Sequence, residues 1–379
     1  MIYLDEAATT PLKRDVLAAM GPYLGPEFGN PSSHHEVGEA ALRALDQARA
    51  DVAARLGART GEITFTSGGT ESDNAAVKGI ALAQPGGRHV VISAIEHPAV
   101  LESAAFLGRT GFEVTTLGVD HDGLVSPDDL AAALRHDTTL VSIQLANNEV
   151  GTVQPVAELA ALAGARGIPF HTDAVQAAGW LDLGVSRLGV QALSISGHKI
   201  GAPKGVGVLY VQRRTPIEPL IHGGGQESGR RSGTENVAGA VGLAAALQMA
   251  SGPADEVIAR RDAFIARVES EVPGAVLTGH RTHRLPGSAS FVFPGTSGES
   301  ILLDLERRGI VSSSGSACAA GSDEPSHVLT ALGYDREVAQ TAVRFTFGRS
   351  TTEADLAQAA DALVAIAGNV SSATTLNGR

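Results

Sequence analysis

The sequence predicts an α/β protein with a mainly parallel sheet, followed by a smaller α+β region. Apolar, β-prone runs alternate with helical patterns between residues 62 and 211, which is typical of a parallel sheet covered by helices. Polar motifs follow the strands of this stretch, and parallel sheets carry their sites at the carboxyl ends of strands. The length of 379 residues, of which 43% are hydrophobic, suits two or so domains with a large core.

The bulk composition argues against several classes of function. The net charge of −12 disfavours non-specific binding to nucleic acid or to an anionic membrane surface. No apolar run reaches the roughly 18 residues of a membrane span. The first six residues have neither a basic region nor an apolar signal core. We therefore expect a cytoplasmic protein that binds neither nucleic acid nor membrane.

Hydrophobic spacing predicts the elements of the large region, and residues 1–35 are expected to be irregular. Strands are predicted at Glu62–Thr66, Arg88–Ala94, Phe112–Leu117, Thr138–Leu145, Val190–Ile195 and Val206–Val211. Helices are predicted at Ala40–Leu56, in a segment ending near Ala83, and at Pro127–Leu134, Pro155–Arg166, Asn236–Met249 and Asp255–Val272.

The smaller region is expected to contain two strands and two helices. These are Val276–Thr278, Ser288–Phe293, Ser300–Arg307 and Glu353–Ala367. The predicted organisation is an arm at 1–20 that packs with the smaller domain, a large domain at 21–252, the smaller domain at 253–370 and a flexible tail at 371–379.

A polar turn follows the apolar run Val190–Ile195 and presents Ser196, Gly197, His198 and Lys199 to one point. Glycine allows close approach, so this strand end could hold an anion and an activated amine. A lysine forms a Schiff base only when its amine is deprotonated, and the neighbouring histidine could help to lower its pKa. The alternative is a solvated surface lysine.

An acidic residue ends the preceding strand. The apolar run Gly167–Phe170 leads to Asp173, which could pair with the protonated ring nitrogen of a pyridine cofactor and keep the ring an electron sink. The chain resembles the pyridoxal-phosphate (PLP) enzymes of aminotransferase class V, and the group I cysteine desulfurases in particular, in the order and spacing of Asp173, Gln176, Ser196, His198 and Lys199.

Three further motifs of the sheet region carry the same resemblance. Ser67–Asn74 resembles the phosphate-binding loop of the family, with Gly69 and Thr70 at the matching positions; by itself it could be an ordinary helix N-cap. His97 matches the histidine that stacks over PLP in desulfurases, although it could simply cap a helix that begins with proline. Asn148 matches an asparagine that can bond the cofactor or a substrate carboxylate.

Two loops match the family as well. Loop 222–236 resembles a desulfurase loop in which a threonine, here Thr234, reaches the phosphate of the neighbouring subunit, which implies a homodimer with shared sites; a flexible hinge is the alternative. Ser312–Ser322 resembles the loop on which a cysteine, here Cys318, carries sulfur outward. As the only cysteine, it excludes an internal disulfide and a cysteine-based metal cluster, and it could otherwise be a small buried apolar residue.

The predicted substrate-binding arginine lies on a strand of the smaller domain. Arg344 alternates with apolar neighbours, and a guanidinium there can clamp an amino-acid carboxylate. The resemblance gives it this task together with Asn148, and Arg349 is a less suitable, structural alternative. No metal site is predicted, because the acidic turn Asp120–Gly123 lacks the later ligands of an EF-hand.

The resemblance implies fold type I of the PLP-dependent transferases, with a seven-stranded sheet, and it implies a desulfurase reaction. L-Cysteine would become L-alanine, with its sulfur passed to Cys318 as a persulfide and then to an acceptor protein, an iron–sulfur scaffold or a thiolation enzyme. Lys199 would hold PLP covalently and move protons together with His97. Val175 and Trp180 depart from the family pattern, at positions commonly held by Thr and Lys.

Several other functions stay open at this point. Among PLP enzymes, the alternatives are a selenocysteine lyase, an aminotransferase or an epimerase, and an aminotransferase would not need Cys318. From another class, a non-catalytic sulfur-carrier partner is disfavoured because every matched catalytic position is filled.

Overall fold

The computed structural model describes residues 1–250, 254–315 and 324–376 of the chain. Its strands are β1 (Ile2–Tyr3), β2 (Ile63–Thr66), β3 (His89–Ser93), β4 (Glu113–Leu117), β5 (Thr138–Ser142), β6 (Phe170–Asp173), β7 (Ala192–Ser196), β8 (Gly207–Val211), β9 (Val276–Leu277), β10 (Ser288–Val292), β11 (Ile310–Val311) and β12 (Val343–Thr346). Its α-helices are α1 (Arg14–Leu24), α2 (Glu36–Leu56), α3 (Gly69–Leu82), α4 (Pro98–Arg109), α5 (Pro127–Ala133), α6 (Val156–Gly164), α7 (Val185–Leu188), α8 (Val237–Met249), α9 (Asp255–Glu271), α10 (Gly298–Arg307), α11 (His327–Ala331), α12 (Arg336–Ala339) and α13 (Glu353–Leu376).

The central sheet has seven strands in the order β2-β8-β7-β6-β5-β3-β4. All of them run parallel except β8, which is antiparallel to both of its neighbours. Strands β5, β6 and β7 are buried along their whole length, as expected for a parallel sheet covered on both faces. The predicted α/β class and the mainly parallel seven-stranded sheet are confirmed. Because β6 and β7 are parallel, their carboxyl ends bring Asp173 and Ser196 to one edge.

The smaller region contains an antiparallel sheet in the order β12-β10-β9, with α9 and α13 packed together beside it. Its apolar core includes Phe264, which meets Phe345 and Phe291 in edge-to-face contacts with ring centroids 5.3 Å and 6.2 Å apart. Such aromatic contacts add about 0.5–1.5 kcal/mol each beyond the burial of area. The domain boundaries remain a prediction, and α1 crosses the one placed at residue 20.

An arm at residues 2–10 joins the smaller region to the central sheet. Its strand β1 pairs in parallel with β11. Further along, Ala7 N donates to Thr346 Oγ1 at 2.8 Å, and Thr10 N donates to His198 O at 2.9 Å. The arm therefore runs from the small antiparallel sheet to the turn that carries Lys199.

Two expectations about the ends of the chain were wrong. Residues 1–35 are not all irregular, because α1 forms there and buries Val16 and Met20, one helical turn apart. That spacing is present in the sequence, but Pro22 lies within the helix, where proline is disfavoured. At the other end, α13 continues to Leu376, past the predicted helix end at Ala367. The flexibility of the tail at 371–379 stays a prediction.

No helix in the described ranges is long and apolar enough to cross a membrane. Within the same ranges, no group of three or more His, Cys, Asp or Glu residues is placed to hold a metal ion.

A close backbone contact between β8 and the turn before α3 gives a test of the fold. A Cβ on Gly207 would lie 2.6 Å from the Cα and carbonyl carbon of Gly68. We expect Gly207→Ala to lower the free energy of unfolding by about 1–3 kcal/mol, since backbone must shift to accept the methyl group. Urea denaturation measures the change. The matched control is Gly164→Ala in α6, where a Cβ meets open space and stability should stay equal or rise slightly; equal losses in both variants would contradict the assigned contact.

Candidate active site

A cavity of about 450 Å³ lies at the edge of the sheet where β6 and β7 end. It is lined by ten of the predicted site residues: Gly69, Thr70, His97, Asn148, Asp173, Gln176, Ser196, His198, Lys199 and Arg344. The motifs that the sequence placed at separate strand ends are therefore brought together at one site.

Three predicted residues do not line this cavity. A Cβ on Gly197 would meet Val206 and Ala202 instead, so this residue supports the turn from behind. Thr234, on loop 222–236, is not part of the lining. Cys318 lies outside the described residues, although Gly315 and Pro325, which lie on either side of its segment in the chain, both line the cavity.

The start of α3 offers backbone donors to this cavity. The N–H groups of Gly69 and Thr70 precede the first intrahelical hydrogen bonds and have no acceptor within the described chain. A Cβ on Gly69 would lie 2.7 Å from Val175 Cγ2, so only glycine lets the wall come this close. Open N–H groups and the positive end of the helix dipole suit a phosphate.

Asp173 ends β6 and is buried without a counter-charge. Its Oδ1 accepts a hydrogen bond from Val175 N at 2.8 Å. No ion pair within 4.0 Å involves it among residues 1–250, 254–315 and 324–376. Burial raises the pKa of Asp173, against the opposing effects of His97 and Lys199. An acid in this state can pair with a cation that enters the cavity.

Lys199 contacts the arm. Its Nζ donates to the carbonyl oxygen of Ala7 and, at 2.9 Å, to that of Ala8, while Gln176 Nε2 also donates to Ala7 O at 3.0 Å. The adjacent His198 is hydrogen-bonded to Thr9 Oγ1, at 3.1 Å from Nδ1. Burial, together with the charges of nearby lysines, lowers the pKa of His198 to about 4. This histidine is thus neutral at pH 7 and adds no positive charge beside Lys199.

His97 caps a helix and also faces the cavity, while its stacking over PLP stays a prediction. Its Nδ1 accepts the N–H of Ala99 at 3.1 Å and so caps α4, which begins with Pro98. The side chain also lines the cavity. Burial lowers the pKa of His97, although the charge of Asp173 opposes this shift. Because Nδ1 is an acceptor, the neutral ring carries its proton on Nε2 and can donate from there.

Arg344 is the arginine that lines the cavity. Its Nη1 donates to Asn148 O at 2.8 Å and to Gly315 O at 3.1 Å, and Nη2 pairs with Asp5 Oδ1 at 2.7 Å. The Nε–H is buried and has no acceptor in the described part of the chain. Arg349 is not part of this lining, and its guanidinium lies over the ring of Trp180 at 5.4 Å.

The sequence analysis missed several polar residues of the lining: Asp73, Gln144, Glu149, Ser326 and His327. Ser326 Oγ donates to Glu149 Oε2 at 2.5 Å and also caps α11. His327 Nε2 lies 3.0 Å from the carbonyl oxygen of Glu96. The first three stand in or beside motifs that were recognised. The last two had only a weak signal, the proline that precedes α11.

Comparison with known proteins is consistent with this geometry. The model of the family described as aminotransferase class-V matches residues 2–358. A cysteine desulfurase IscS of Dictyoglomus turgidum is 50% identical over 367 residues, which are 96% of this chain and 93% of that protein. A cysteine desulfurase IscS of Methanosarcina thermophila is 48% identical over 360 residues, 94% of this chain and 89% of its own length.

Solved structures agree. A NifS-like protein superposes with a TM-score of 0.90 at 36% identity, covering 96% of this chain and 98% of its own. SspA in complex with cysteine superposes with a TM-score of 0.83 at 38% identity, covering 92% of this chain and 99% of its own. The family is generally PLP-dependent. The chain belongs to the aminotransferase class-V family, within its cysteine desulfurase branch.

Proposed function

We propose that this protein is a PLP-dependent cysteine desulfurase that converts L-cysteine to L-alanine and passes the sulfur to Cys318. The observation that carries the proposal is the meeting of Lys199, Asp173 and the open start of α3 around one cavity. An amine, an acid without a counter-charge and free backbone donors are what an aldehyde, a pyridine nitrogen and a phosphate require.

The residues fit PLP part by part. The backbone N–H groups of Gly69 and Thr70, together with Ser196 and His198, would hold the phosphate. Asp173 would keep the ring nitrogen protonated, Gln176 and Asn148 would face the ring oxygen, and Lys199 would hold the cofactor covalently. When bound, PLP withdraws electrons from Cα of an amino acid.

The substrate carboxylate is assigned to Arg344 and Asn148. Arg344 already has its Nη groups held by Asp5 and by backbone oxygens, so the plane of its guanidinium is fixed in the cavity wall. A charge-assisted hydrogen bond to a carboxylate from a fixed guanidinium contributes about 1.5–3 kcal/mol. The contact therefore orients the amino acid as well as binding it.

Proton movements are assigned to Lys199 and His97. Lys199 takes the proton from Cα of the bound amino acid. His97 presents Nε2–H to the cavity, and its lowered pKa keeps the ring neutral at pH 7. In this state His97 donates a hydrogen bond from Nε2 to the bound amino acid and orients it.

The sulfur step balances without an external oxidant. The thiolate of Cys318 attacks the sulfur of L-cysteine, an S–S bond forms and the Cβ–S bond breaks. The electron pair of the broken bond remains with Cβ, which gains a proton, so that carbon is reduced while the two sulfur atoms are oxidised. The products are L-alanine and a persulfide on Cys318, which then supplies an acceptor protein.

The wider setting is proposed on the family resemblance. The protein is a homodimer in which Thr234 of each subunit completes the phosphate site of the other. The acceptor is an iron–sulfur scaffold or a thiolation enzyme. The single cysteine and its reactive persulfide suit a reducing compartment, and we place the protein in the cytoplasm.

The test is a visible spectrum of the PLP-loaded protein during addition of L-cysteine. We expect the band of the Lys199-bound cofactor to change, with L-alanine and, under reductant, sulfide formed in equal amounts. Cys318→Ala should retain the band and lose both products, whereas Lys199→Ala should lose the band. If L-alanine formation persists in Cys318→Ala, the nucleophile is wrong. A response to L-selenocysteine alone would favour a selenocysteine lyase. The absence of any visible band after PLP loading would contradict the proposal that the protein is a PLP-dependent enzyme.

The carboxylate contact gives a second prediction. Arg344→Lys should raise KM for L-cysteine about 100-fold, because a lysine cannot reproduce the fixed, planar guanidinium. L-Cysteine methyl ester separates this from general damage: the variant should lose the preference for the free acid over the ester, whereas a distorted site would weaken both. Arg349→Lys is the matched control and should leave KM unchanged for L-cysteine and for its methyl ester, since Arg349 does not line the cavity.

A further inference from the structure

Asp73 is a buried acid in the cavity wall that the proposed function leaves without a task. It lies on α3, one turn beyond Thr70, and is 1% exposed. Its Oδ1 is buried and has no hydrogen-bond partner within the described ranges. The acids Asp173 and Glu96 act on it electrostatically, and neither can neutralise it.

The nearest basic group does not supply a positive charge. His171 Nε2 is 3.7 Å from Asp73 Oδ1, but the ring is fully buried. Burial lowers the pKa of His171 to about 3, so the imidazole is neutral at physiological pH. Asp73 therefore has no cationic partner among its described neighbours.

His171 is held by hydrogen bonds to two serines. Its Nδ1 is 2.8 Å from Ser142 Oγ, and its Nε2 is 2.9 Å from Ser194 Oγ. A neutral imidazole has one N–H donor and one acceptor nitrogen, and a serine hydroxyl can take either complementary role, so both ring nitrogens are satisfied without a charge on the ring.

Only one of the two acids Asp73 and Asp173 is expected to be ionised. Asp73 and Asp173 line the same cavity, and two buried carboxylates without cations cannot both ionise cheaply. A single protonated ring nitrogen can compensate Asp173. Burial and the charge of Asp173 raise the pKa of Asp73 well above its ordinary value, against the opposing effect of Ser194.

We propose that Asp73 is kept as a neutral carboxylic acid by its burial without a cationic neighbour and donates a hydrogen bond into the cavity, while Asp173 carries the negative charge of the pair. A donor suits an anionic oxygen of the cofactor, and this part of the inference rests on the proposed function. Asp73 is then a positioning residue that fixes the cofactor without adding a second charge to its surroundings.

Infrared difference spectroscopy tests the protonation without any activity measurement. At pH 7 the protein before PLP loading should show the carbonyl stretch of a protonated acid that Asp73→Asn removes. Adding PLP should shift this band to lower frequency, as a new hydrogen bond forms. Absence of the band would mean that Asp73 is ionised and would overturn the proposal. A band that ignores PLP would overturn the donated hydrogen bond, whereas failure of PLP to bind at all would refute the proposed function instead.

The visible spectrum gives a second readout that a purely structural role would not move. Asn resembles a protonated aspartate in shape and charge, so Asp73→Asn should fold, bind PLP and keep the pH midpoint of the bound-cofactor spectrum. If Asp73 were an anion, removing it would lower that midpoint by about one pH unit, since a nearby negative charge favours the protonated form. Failure of Asp73→Asn to fold would also argue for the anion.

Glu96→Gln is the matched control, because Glu96 is a buried acid of the same kind that does not line the cavity. Burial raises the pKa of Glu96 to about 8, from an unfolded value of 4.5. The folded state thus keeps a proton that the unfolded state releases, and stability falls as pH rises between these values. In this window, each pH unit should change the unfolding equilibrium constant of Glu96→Gln tenfold less than that of the unsubstituted protein. Its PLP-dependent infrared shift should be unchanged, and loss of that shift would contradict the assignment to Asp73.

Discussion

A buried carboxylate needs a counter-charge, and the fold supplies Asp173 with none. The strand that ends in this residue is enclosed by the sheet, one backbone N–H donates to it, and the charge of Lys199 acts only at a distance. Such a group is costly to ionise without a cation beside it. The arrangement becomes favourable when a cation enters, so the binding of a protonated ring and the stability of the sheet edge depend on the same atom.

The walls of the cavity come from both parts of the chain. The sheet provides the acid and the amine, while β12 of the smaller region provides Arg344, whose guanidinium holds Asn148, Gly315 and Asp5 at once. The arm completes the contact, because Ala7 bonds both Thr346 and Lys199. A displacement of the smaller region would therefore change the hydrogen bonds of Lys199 as well as those of Arg344.

The sequence was informative where function and local pattern coincide. Asp173, His97 and Lys199 each follow an apolar strand, and parallel pairing alone is enough to bring such residues to one edge. The sheet could be predicted for the same reason, since its buried strands read as continuous apolar runs.

What could not be predicted depends on contacts between distant residues. Nothing near Asp73 in the sequence indicates that His171 will lie 3.7 Å away, and neither the burial of this pair nor its neutrality has a local pattern. The hydrogen bonds of Lys199 to Ala7 and Ala8 join residues that are separated by about half the length of the chain. Helix α1 is an intermediate case: its apolar spacing was present, but Pro22 weighed against it, and packing on α8 stabilises it.

The arm also sets an order of events during synthesis. Ala7 and its partner Thr346 are 339 residues apart, so at ~5–20 residues per second the ribosome makes the partner roughly 20–70 s after the arm. During that time the sheet and its lysine turn can form, but β11 and β12 do not yet exist to anchor the arm. The carbonyl groups that hold Lys199 are thus fixed only when the chain is nearly finished, and a nascent chain has an incompletely held lysine however well its sheet has folded.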